Sequence, residues 1–462
     1  MKHANRRFER IFWIVLYILS PALPIVVYFA GNWFSFFHAY SVSMTFGIIA
    51  YIYYLNQFIV AARPVYWDRL YGLDRMYRFH GTMAIVATIF AIGHALLKTV
   101  YFPMVTVQKG LGVLSFLVFA VVVLLSVVFM VQNRLAKYKP IRRLRTIAAT
   151  KWRWHYHRLK TVHNLVVLAA FIVLAHVLLA FSTLETFGRI VLMVLWFVVA
   201  LGYYGWHKIL RPAQARRKPF VVREVIRECD GVTTLRLDAP VERQFSHKAG
   251  QFVYLRFLDG VPGPEEHPFT ISSPPSPEGI TVTVKDLGDF SGDLGQVSAG
   301  APVAIDGPYG VFTTRKVPEE QPLVCIAGGI GITPFFSILG DCAAAGSTRP
   351  MTLLWSVREP GEFFRLEELK GYAEALPGLR IELFLTGTAP DALEAGRRRA
   401  EESGLPLHSG RATVERLREL ELVDTEASYY LCGPSAMMET LIADLRSDGV
   451  PAQHFHFEAF AM

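Results

Sequence analysis

Four histidines stand inside apolar stretches of the chain at spacings that suit a metal-containing cofactor. His80 and His94 lie fourteen residues apart in HGTMAIVATIFAIGH, which has no formal charge between them. His163 and His176 lie thirteen residues apart in a second apolar stretch. Imidazole is a common metal ligand, and ionisable side chains inside an apolar span are costly and usually functional. What these histidines can do depends on the elements that carry them.

Length and composition predict that these elements are membrane-spanning helices. The chain has 462 residues, of which 52% are hydrophobic and 19% charged, and the long apolar runs fall before residue 208. About 20 apolar residues suffice to cross the hydrocarbon core of a bilayer. The first run has the basic flank of a signal peptide but no small-residue cleavage site, so we interpret it as a retained helix. Six runs reach the required length: 11–30, 40–61, 79–100, 111–132, 161–181 and 187–207.

Basic residues predict the orientation of these helices. The loop at 62–78 contains four arginines, the loop at 131–160 contains ten Lys and Arg residues, and five more follow the last helix. Loops of this kind stay in the cytoplasm. We therefore expect a multi-pass protein of the inner (plasma) membrane, with its N-terminus and its C-terminal half in the cytoplasm. The same loops explain the net charge of +8, so the charge gives no reason to expect a nucleic acid as partner.

In this orientation the third and fifth helices run parallel, and each places one histidine near either face of the membrane. His80 and His163 then form an inner pair, and His94 and His176 form an outer pair. A b-type haem takes two neutral imidazole nitrogens from opposite sides of its ring, so two pairs predict two stacked haems. The alternative is that buried histidines only hydrogen-bond to neighbouring helices, and four histidines in two matched pairs argue against it.

The spacing within each helix bears on this arrangement. Fourteen residues of α-helix make about 3.9 turns and rise about 21 Å, so His80 and His94 share nearly one face. Thirteen residues make about 3.6 turns, which leaves His163 and His176 about 140° apart on an ideal helix. We therefore expect either an overwound fifth helix or two haems rotated relative to each other. The sequence offers no Pro or Gly between those two histidines to supply a kink.

From residue 219 the pattern changes to short strands and turns. FVVREVIRECDGVTTLRLDA predicts a hairpin that turns at Asp230-Gly231, and AGQFVYLRF and GITVTVKDL predict further strands. We interpret 219–316 as a small antiparallel β-barrel. The polar stretch 393–404 is interpreted as a mobile surface segment. The four cysteines contain no CxxC motif, so neither a zinc site nor a disulfide framework is indicated.

An α/β pattern follows in the remainder of the chain. PLVCIAGGIGITPFFSIL predicts a strand, a glycine-rich turn at 328–331 and a helix. Glycines let the backbone approach a pyrophosphate, and a helix N-terminus favours its negative charge. The segments MTLLWSVRE and YYLCGPSAMMETL each predict a strand that ends at a ligand loop. Strands that alternate with helices indicate a parallel sheet with its ligand at the carboxyl ends of the strands.

Four motifs then carry a family resemblance. HPFT, GGIGITP, CGP and the C-terminal FEAF, in this order, resemble the ferredoxin–NADP reductase family. The histidine-bearing helices resemble the haem domain of ferric reductases, and the whole chain resembles the NADPH oxidase and ferric reductase superfamily in its short bacterial form. The resemblance implies a six-helix transmembrane di-haem domain at 1–210, an FAD-binding β-barrel at 219–316 and an NAD(P)H-binding α/β domain at 320–462.

The resemblance also implies the residues that contact each cofactor. FAD contacts are implied for seven residues: His267, Pro268, Phe269, Thr270, Lys285, Gly288 and Ser291. Contacts to the nicotinamide dinucleotide are implied for nine: Gly328, Gly329, Gly331, Thr333, Pro334, Arg358, Cys432, Gly433 and Pro434. Haem iron would be bound by His80, His94, His163 and His176.

The resemblance implies particular roles for eight residues. Thr270 would lie near the reactive nitrogen of the flavin ring, and Arg358 would meet the 2′-phosphate that distinguishes NADPH from NADH. Cys432 would lie beside the nicotinamide. Phe460 would stack on the flavin until nicotinamide displaces it, with Glu458 close by. Lys285, Gly288 and Ser291 would meet the FAD pyrophosphate.

Together these expectations describe a transmembrane oxidoreductase. Electrons would pass from cytoplasmic NADPH, with NADH possible, through FAD and two b-type haems to an acceptor beyond the membrane. Short outer loops favour a small acceptor, and we favour O2, which would give superoxide. The alternatives are a ferric chelate, or an extracytoplasmic protein or quinone served by an electron-supply module. Lys98, one helical turn beyond His94, either stabilises nascent superoxide or extends to the membrane interface.

Overall fold

Contacts divide the chain into two units, Met1–Arg211 and Pro212–Met462. Each unit is described by itself below. The computed structural model of the chain describes residues 2–30, 36–130, 138–150, 156–241, 245–387 and 389–458.

The first unit is helical. Six helical spans among its described residues are long and apolar enough to cross a membrane, which confirms the six apolar helices expected from the sequence. Two π-helical stretches, Ser126–Met130 and Trp206–Leu210, continue α6 and α11. The helices are α1 (Lys2–Leu19), α2 (Ala22–Phe29), α3 (Ala39–Ala61), α4 (Val65–Tyr71), α5 (Leu73–Tyr101), α6 (Val107–Leu125), α7 (Lys139–Thr150), α8 (Tyr156–His163), α9 (Leu165–Leu178), α10 (Phe181–Leu184), α11 (Phe187–Gly205) and α12 (Arg211–Arg217).

Helix pairing in this unit places the histidines. α3 packs along α5, and α6 packs along α9, so each histidine-bearing helix has a supporting neighbour. Ile52, Leu55 and Ala170 lie in the core shared by α3, α9 and α11. Buried polar groups there are satisfied between helices: the Asn56 side chain donates to Ser20 Oγ at 2.8 Å and accepts from the indole of Trp196 at 3.0 Å.

The fifth span is overwound where its two histidines require it. α8 ends at His163 and α9 begins at Leu165, and between them the N–H of Asn164 donates to the carbonyls of Lys160 and Thr161 at 3.1 and 3.2 Å. The N–H of Val167 in turn donates to the Asn164 carbonyl at 3.0 Å. Bonds between residues three apart belong to the tighter 3₁₀ turn, which adds about 60° per turn to the α-helical rotation. One such turn offsets nearly half of the mismatch of about 140° expected from the 13-residue spacing.

An antiparallel sheet opens the second unit. Its order is β4-β3-β6-β1-β2-β5, and the expected hairpin turns at Gly231, whose φ of +67° favours glycine. The two end strands, β4 and β5, are joined by one bridge, Ile271 to Val282, and closure into the expected barrel stays a prediction. The strands are β1 (Phe220–Cys229), β2 (Val232–Asp238), β3 (Phe252–Phe257), β4 (His267–Thr270), β5 (Gly279–Lys285) and β6 (Pro302–Tyr309), with the short helix α13 (Asp289–Gly292) after β5.

A parallel sheet follows, as the strand–helix alternation predicts. Its order is β10-β9-β8-β7-β11-β12, and Trp355 and Phe335 lie in the core between this sheet and its helices. The strands are β7 (Leu323–Gly328), β8 (Met351–Val357), β9 (Leu379–Leu385), β10 (Leu407–Ser409), β11 (Ser428–Cys432) and β12 (Phe455–Glu458). The helices are α14 (Thr333–Ala344), α15 (Leu366–Ala375), α16 (Pro390–Ser403), α17 (Val414–Glu419) and α18 (Ser435–Ser447).

The polar stretch 393–404, interpreted from its sequence as a mobile surface segment, is helical. These residues form most of α16, which begins with Pro390 in its first turn and ends at Gly404 in the left-handed conformation. Gly396 and Ala400 are buried, and a Cβ at Gly396 would lie 2.7 Å from a methyl group of Leu385. The stretch is polar because only a narrow stripe of small residues faces the sheet.

Candidate functional site

The four histidines of the apolar helices meet in two pairs. The ring centroids of His80 and His163 lie 6.3 Å apart, and those of His94 and His176 lie 6.2 Å apart. A bond of about 2 Å from metal to imidazole nitrogen, and about 1.2 Å more to the ring centre, give about 6.4 Å between two rings on opposite sides of one ion. Both pairs therefore have the spacing of two axial ligands.

Main-chain carbonyls orient both imidazoles of the outer pair. Nδ1 of His94 lies 2.8 Å from the carbonyl oxygen of Ser43 in α3, and Nδ1 of His176 lies 2.7 Å from that of Gln108 in α6. A carbonyl can only accept, so Nδ1 carries the hydrogen in both rings. Nε2 is then the atom that keeps an electron pair for a metal.

The inner pair has different neighbours. Nδ1 of His163 lies 3.1 Å from the hydroxyl oxygen of Ser126. Nδ1 of His80 is buried and faces the backbone of Gln57, but it makes no close hydrogen bond to any described residue. Within the described ranges, neither inner imidazole therefore has a carbonyl contact as close as those of the outer imidazoles.

The ligand set of each pair fits haem better than a bare metal ion. Within the described ranges, no group of three or more His, Cys, Asp or Glu residues could hold a metal. A protein-bound zinc ion takes three or four protein ligands, whereas haem iron has four ring nitrogens and needs only axial ligands from the protein. Two imidazoles about 6 Å apart meet that need, and in the outer pair main-chain carbonyls also fix both rings.

Lys98 stands one turn beyond His94 on α5. Its ammonium nitrogen lies 3.6 Å from the ring centroid of Tyr40 and 5.3 Å from that of Phe102. Two aromatic rings therefore hold the cation near this end of the helix. This placement is compatible with both roles considered for Lys98.

Residues predicted to bind the nicotinamide dinucleotide meet at the carboxyl ends of the parallel strands. β7 lies between β8 and β11, and Cys432 of β11 pairs in register with Glu458 of β12. A Cβ at Gly331 would lie 2.2 Å from the Cys432 carbonyl oxygen, and one at Gly328 would lie 2.8 Å from Pro434. The glycine-rich turn thus packs directly on the CGP loop, which requires glycine at both positions.

The same edge holds the remaining predicted nucleotide contacts. Gly329 and Gly433 have φ angles of +56° and +155°, which favour glycine. Thr333 and Pro334 begin α14, whose N-terminus favours an anion such as a pyrophosphate. Arg358 directly follows β8 and is exposed. The predicted nucleotide-binding residues therefore lie at the carboxyl ends of neighbouring parallel strands, and their contacts to a dinucleotide stay predictions.

The predicted flavin contacts lie on and after β4. Thr270 ends the strand, and its hydroxyl oxygen is buried with no hydrogen-bond partner in the described part of the chain. The His267 ring stacks on Phe290 with 3.9 Å between centroids, and the Phe269 ring lies 6.0 Å from Phe290. Pro268 lies between these two β4 residues. An unpartnered buried hydroxyl beside aromatic rings fits a bound isoalloxazine.

Ser291 and Lys285, predicted to meet the FAD pyrophosphate, both have partners within the protein. The Ser291 hydroxyl oxygen accepts from the N–H groups of Leu287 and Gly288 at 2.9 and 3.0 Å, so it shapes its own loop. The Lys285 ammonium forms an ion pair with Glu362. Their contacts to FAD stay predictions.

Glu362 fixes the loop that carries Arg358. Its Oε2 accepts from the N–H groups of Arg358 and Glu359 at 2.9 and 3.3 Å, while Oε1 accepts from Lys285. Burial alone would raise the pKa of Glu362, but the hydrogen bonds from Lys285 and from these two N–H groups lower that pKa below its ordinary value. The carboxylate is therefore charged at neutral pH, beside the place predicted for a 2′-phosphate.

Cys432 is a neutral thiol in this site. It is fully buried, and burial, with a smaller contribution from the charge of Glu458, holds the pKa of its thiol well above the ordinary range. A thiolate nucleophile is thereby excluded at neutral pH. Phe460 lies outside the described residues, and its stacking on the flavin stays a prediction.

Sequence reasoning missed the groups that support the predicted residues. Ser43, Gln108 and Ser126 contact imidazoles from neighbouring helices, and Glu362 joins the Arg358 loop to β5. Helix register is needed to find the first three, and the pairing of Glu362 joins positions 77 residues apart. The only sequence signal is the glycine four residues after Ser43 and after Gln108.

Two family models match the second unit. An FAD-binding domain matches residues 225–313, and an oxidoreductase NAD-binding domain matches residues 325–442.

Curated relatives match the same half of the chain. The terephthalate 1,2-dioxygenase reductase component 1 of Comamonas sp. is 28% identical over 235 residues, 50% of this chain and 64% of that protein. The propane 2-monooxygenase reductase component of Mycolicibacterium smegmatis is 30% identical over 234 residues, 50% of this chain and 63% of that protein. The chain thus spans under two thirds of the length of these relatives.

Solved structures show weaker likeness. A flavohemoglobin from Malassezia yamatoensis with bound FAD and heme has 18% identity and a TM-score of 0.48, covering 96% of this chain and 100% of that one. The ferredoxin reductase in carbazole 1,9a-dioxygenase has 20% identity and a TM-score of 0.43, covering 53% of this chain and 69% of that one.

Proposed function

The second unit matches an FAD-binding domain and an oxidoreductase NAD-binding domain, and from this premise we propose a transmembrane function of the ferric reductase and NADPH oxidase type. The protein passes electrons from cytoplasmic NADPH through FAD and two b-type haems to an acceptor on the outer side. The observation that carries the proposal is the presence of two imidazole pairs, each with axial-ligand spacing, in one chain with this dehydrogenase unit.

The chain's own residues supply binding, orientation and insulation. When bound, FAD takes a hydride from the nicotinamide and gives up its electrons singly, and haem iron carries single electrons. The pairs His80–His163 and His94–His176 hold the two haems. On α5 the two sites are about 21 Å apart, within apolar helices that exclude water. The basic loops keep the dehydrogenase half in the cytoplasm.

At the dehydrogenase end, the protein holds both redox partners at the edges of its two sheets. Thr270 gives its unpartnered hydroxyl to the flavin, and the Gly328–Gly331 turn and α14 take the pyrophosphate of the nucleotide. Arg358 meets the 2′-phosphate, which makes NADPH the preferred donor. Cys432 stays a protonated thiol beside the nicotinamide.

A small acceptor suits the outer side. The connections there are short, at residues 30–38, 102–106 and 179–186 between the spans, and they offer little area for a large partner. We favour O2 as acceptor, with superoxide as product, because Lys98 places a cation one turn beyond His94. The alternatives are reduction of a ferric chelate and supply of electrons to a partner protein or quinone, and the curated relatives favour the last by their names as reductase components.

Turnover of the purified protein tests this proposal. Wild-type protein with FAD and NADPH is expected to reduce a dye through superoxide, so that added superoxide dismutase abolishes the signal. His94→Leu should lose this signal while NADPH still reduces the flavin. His38→Asn is the matched control, because His38 accepts a hydrogen bond at the start of α3 and asparagine serves the same capping role.

Two other outcomes would change the conclusion. Dye reduction that resists superoxide dismutase, together with rapid reduction of ferric chelate, would replace the oxidase by a metalloreductase. Undiminished superoxide from His94→Leu would contradict electron transfer through the outer pair.

A further inference from the structure

The ring of His94 reaches its carbonyl partner only because a glycine is present on the facing helix. The carbonyl of Ser43 accepts from Nδ1 of His94, and Gly47 follows Ser43 by four residues, one turn along the same face of α3. A Cβ at Gly47 would lie 2.9 Å from Nδ1 of His94 and 3.1 Å from its Cε1. An alanine there would therefore push the imidazole away from the carbonyl.

The same arrangement of carbonyl and glycine recurs for His176, the other outer ligand, on a different pair of helices. The carbonyl of Gln108 accepts from Nδ1 of His176, and Gly112 follows Gln108 by four residues in α6. A Cβ at Gly112 would lie 2.7 Å from Nδ1 of His176. Gly110, in the same helix, has no atom within 4 Å of an added Cβ. The close fit is thus particular to the glycine that faces the imidazole.

His80 of the inner pair lies against α3 in the same register as His94, but the corresponding position on α3 is not a glycine. Gln57 lies fourteen residues after Ser43, as His94 lies fourteen after His80, so antiparallel α3 and α5 repeat the arrangement. The residue four after Gln57 is Ala61. Nδ1 of His80 faces the Gln57 backbone, but among the described residues it makes no hydrogen bond as close as those of the outer pair.

His163 completes the pattern. Ser126 follows Val122 by four residues, and its N–H donates to the Val122 carbonyl. The Ser126 side chain stands where glycine stands in the outer pair, and its hydroxyl oxygen lies 3.1 Å from Nδ1 of His163. A hydroxyl partner therefore replaces a carbonyl partner.

From this pattern we propose that the residue four positions after the facing carbonyl sets the reduction potential of each haem site. The outer site then has the lower reduction potential. A carbonyl that accepts from Nδ1 makes the imidazole a stronger electron donor at Nε2. Stronger axial donation stabilises ferric iron over ferrous iron, which lowers the potential. Both outer ligands have such a carbonyl within 2.8 Å, and among the described residues neither inner ligand has one so close. The outer iron is then the stronger reductant, placed next to the final acceptor.

This inference rests on the proposed function in one respect, that haem binds between the histidines. The test is an equilibrium redox titration of purified protein, followed by haem absorbance and by the low-spin electron paramagnetic resonance signals. The component lost in His94→Leu identifies the outer site. We expect that component to be the lower-potential one in the wild type.

Three substitutions separate tuning from general damage. Gly112→Ala should raise the outer potential and change its low-spin signal, or release the outer haem, while the control Gly110→Ala leaves both components at wild-type values. Ala61→Gly should lower the inner potential, because His80 can then close its hydrogen bond to Gln57. This last variant removes a methyl group and keeps the proposal testable if Gly112→Ala does not fold.

The possible results distinguish a failure of the proposed function from a failure of this inference. A wild-type protein without haem refutes the proposed function, and this inference with it. A wild-type protein with two haems refutes this inference alone if the outer component has the higher potential, or if Gly112→Ala and Ala61→Gly leave both potentials and signals unchanged.

Discussion

Replacing Arg358 by alanine should change the choice between the two nicotinamide nucleotides. The guanidinium is exposed directly after β8, next to the glycine-rich turn that ends β7. Its main-chain N–H is fixed by Glu362 at 2.9 Å, so the side chain leaves the backbone from a defined place. NADPH has a 2′-phosphate to meet it, and NADH has only a hydroxyl.

The size of the effect follows from the exposure of this contact. A hydrogen bond to a charged group contributes about 1.5–3 kcal/mol, and solvent screening of an exposed arginine favours the lower end. Each 1.4 kcal/mol corresponds to about a factor of ten. We therefore expect Arg358→Ala to raise the KM for NADPH about tenfold and to leave the KM for NADH within about twofold.

Steady-state reduction of ferricyanide measures both constants in the holoprotein. Arg227→Ala is the control, since Arg227 is 76% exposed on β1 and pairs only with Asp230 in the same hairpin. Equal increases in KM for NADH and NADPH in Arg358→Ala would refute the 2′-phosphate assignment.

Four further predictions concern the dehydrogenase half. Glu362→Gln should lower the KM for NADPH relative to NADH in the same assay, because a carboxylate beside Arg358 repels the 2′-phosphate. Since the folded pKa of Glu362 is lowered, its ion pair with Lys285 stabilises the fold above the ordinary carboxyl pKa, and the wild-type advantage in denaturant unfolding over Glu362→Gln should shrink as pH falls from about 7 to below about 4. Ser337→Ala should cost about 1–2 kcal/mol of unfolding free energy, because that hydroxyl donates to the Ser273 carbonyl at 2.6 Å and joins α14 to the segment after β4; equal melting temperatures would contradict this. Cys432 should resist alkylation in the native protein near pH 8 and react after unfolding, as followed by mass spectrometry.

Patterns of apolar length and residue spacing predicted much of this architecture. Six apolar runs became six helical spans, and the equal depths of two histidines on each of two helices predicted which rings meet. The glycines at 328 and 331 were predicted as a ligand turn, and packing on the CGP loop explains both. These features depend on local periodicity, which a sequence shows directly.

Other features depend on contacts that local periodicity does not contain. The turn at Asn164 overwinds the fifth span without Pro or Gly, through hydrogen bonds between residues three apart. Gly47 and Gly112 acquire their roles only from helix register. The pattern of α16 did not indicate a helix because its buried stripe consists of small residues such as Gly396 rather than large apolar ones.

The cofactor content and anaerobic reduction of the purified protein test the central claim most directly. We predict two haems for each FAD, with the low-spin spectrum of two imidazole ligands, and reduction of both haems when NADPH is added without oxygen. His94→Leu should retain one haem that NADPH still reduces. A wild-type protein with fewer than two haems, or with haems that NADPH leaves oxidised while it reduces the flavin, would contradict electron transfer through the two histidine pairs.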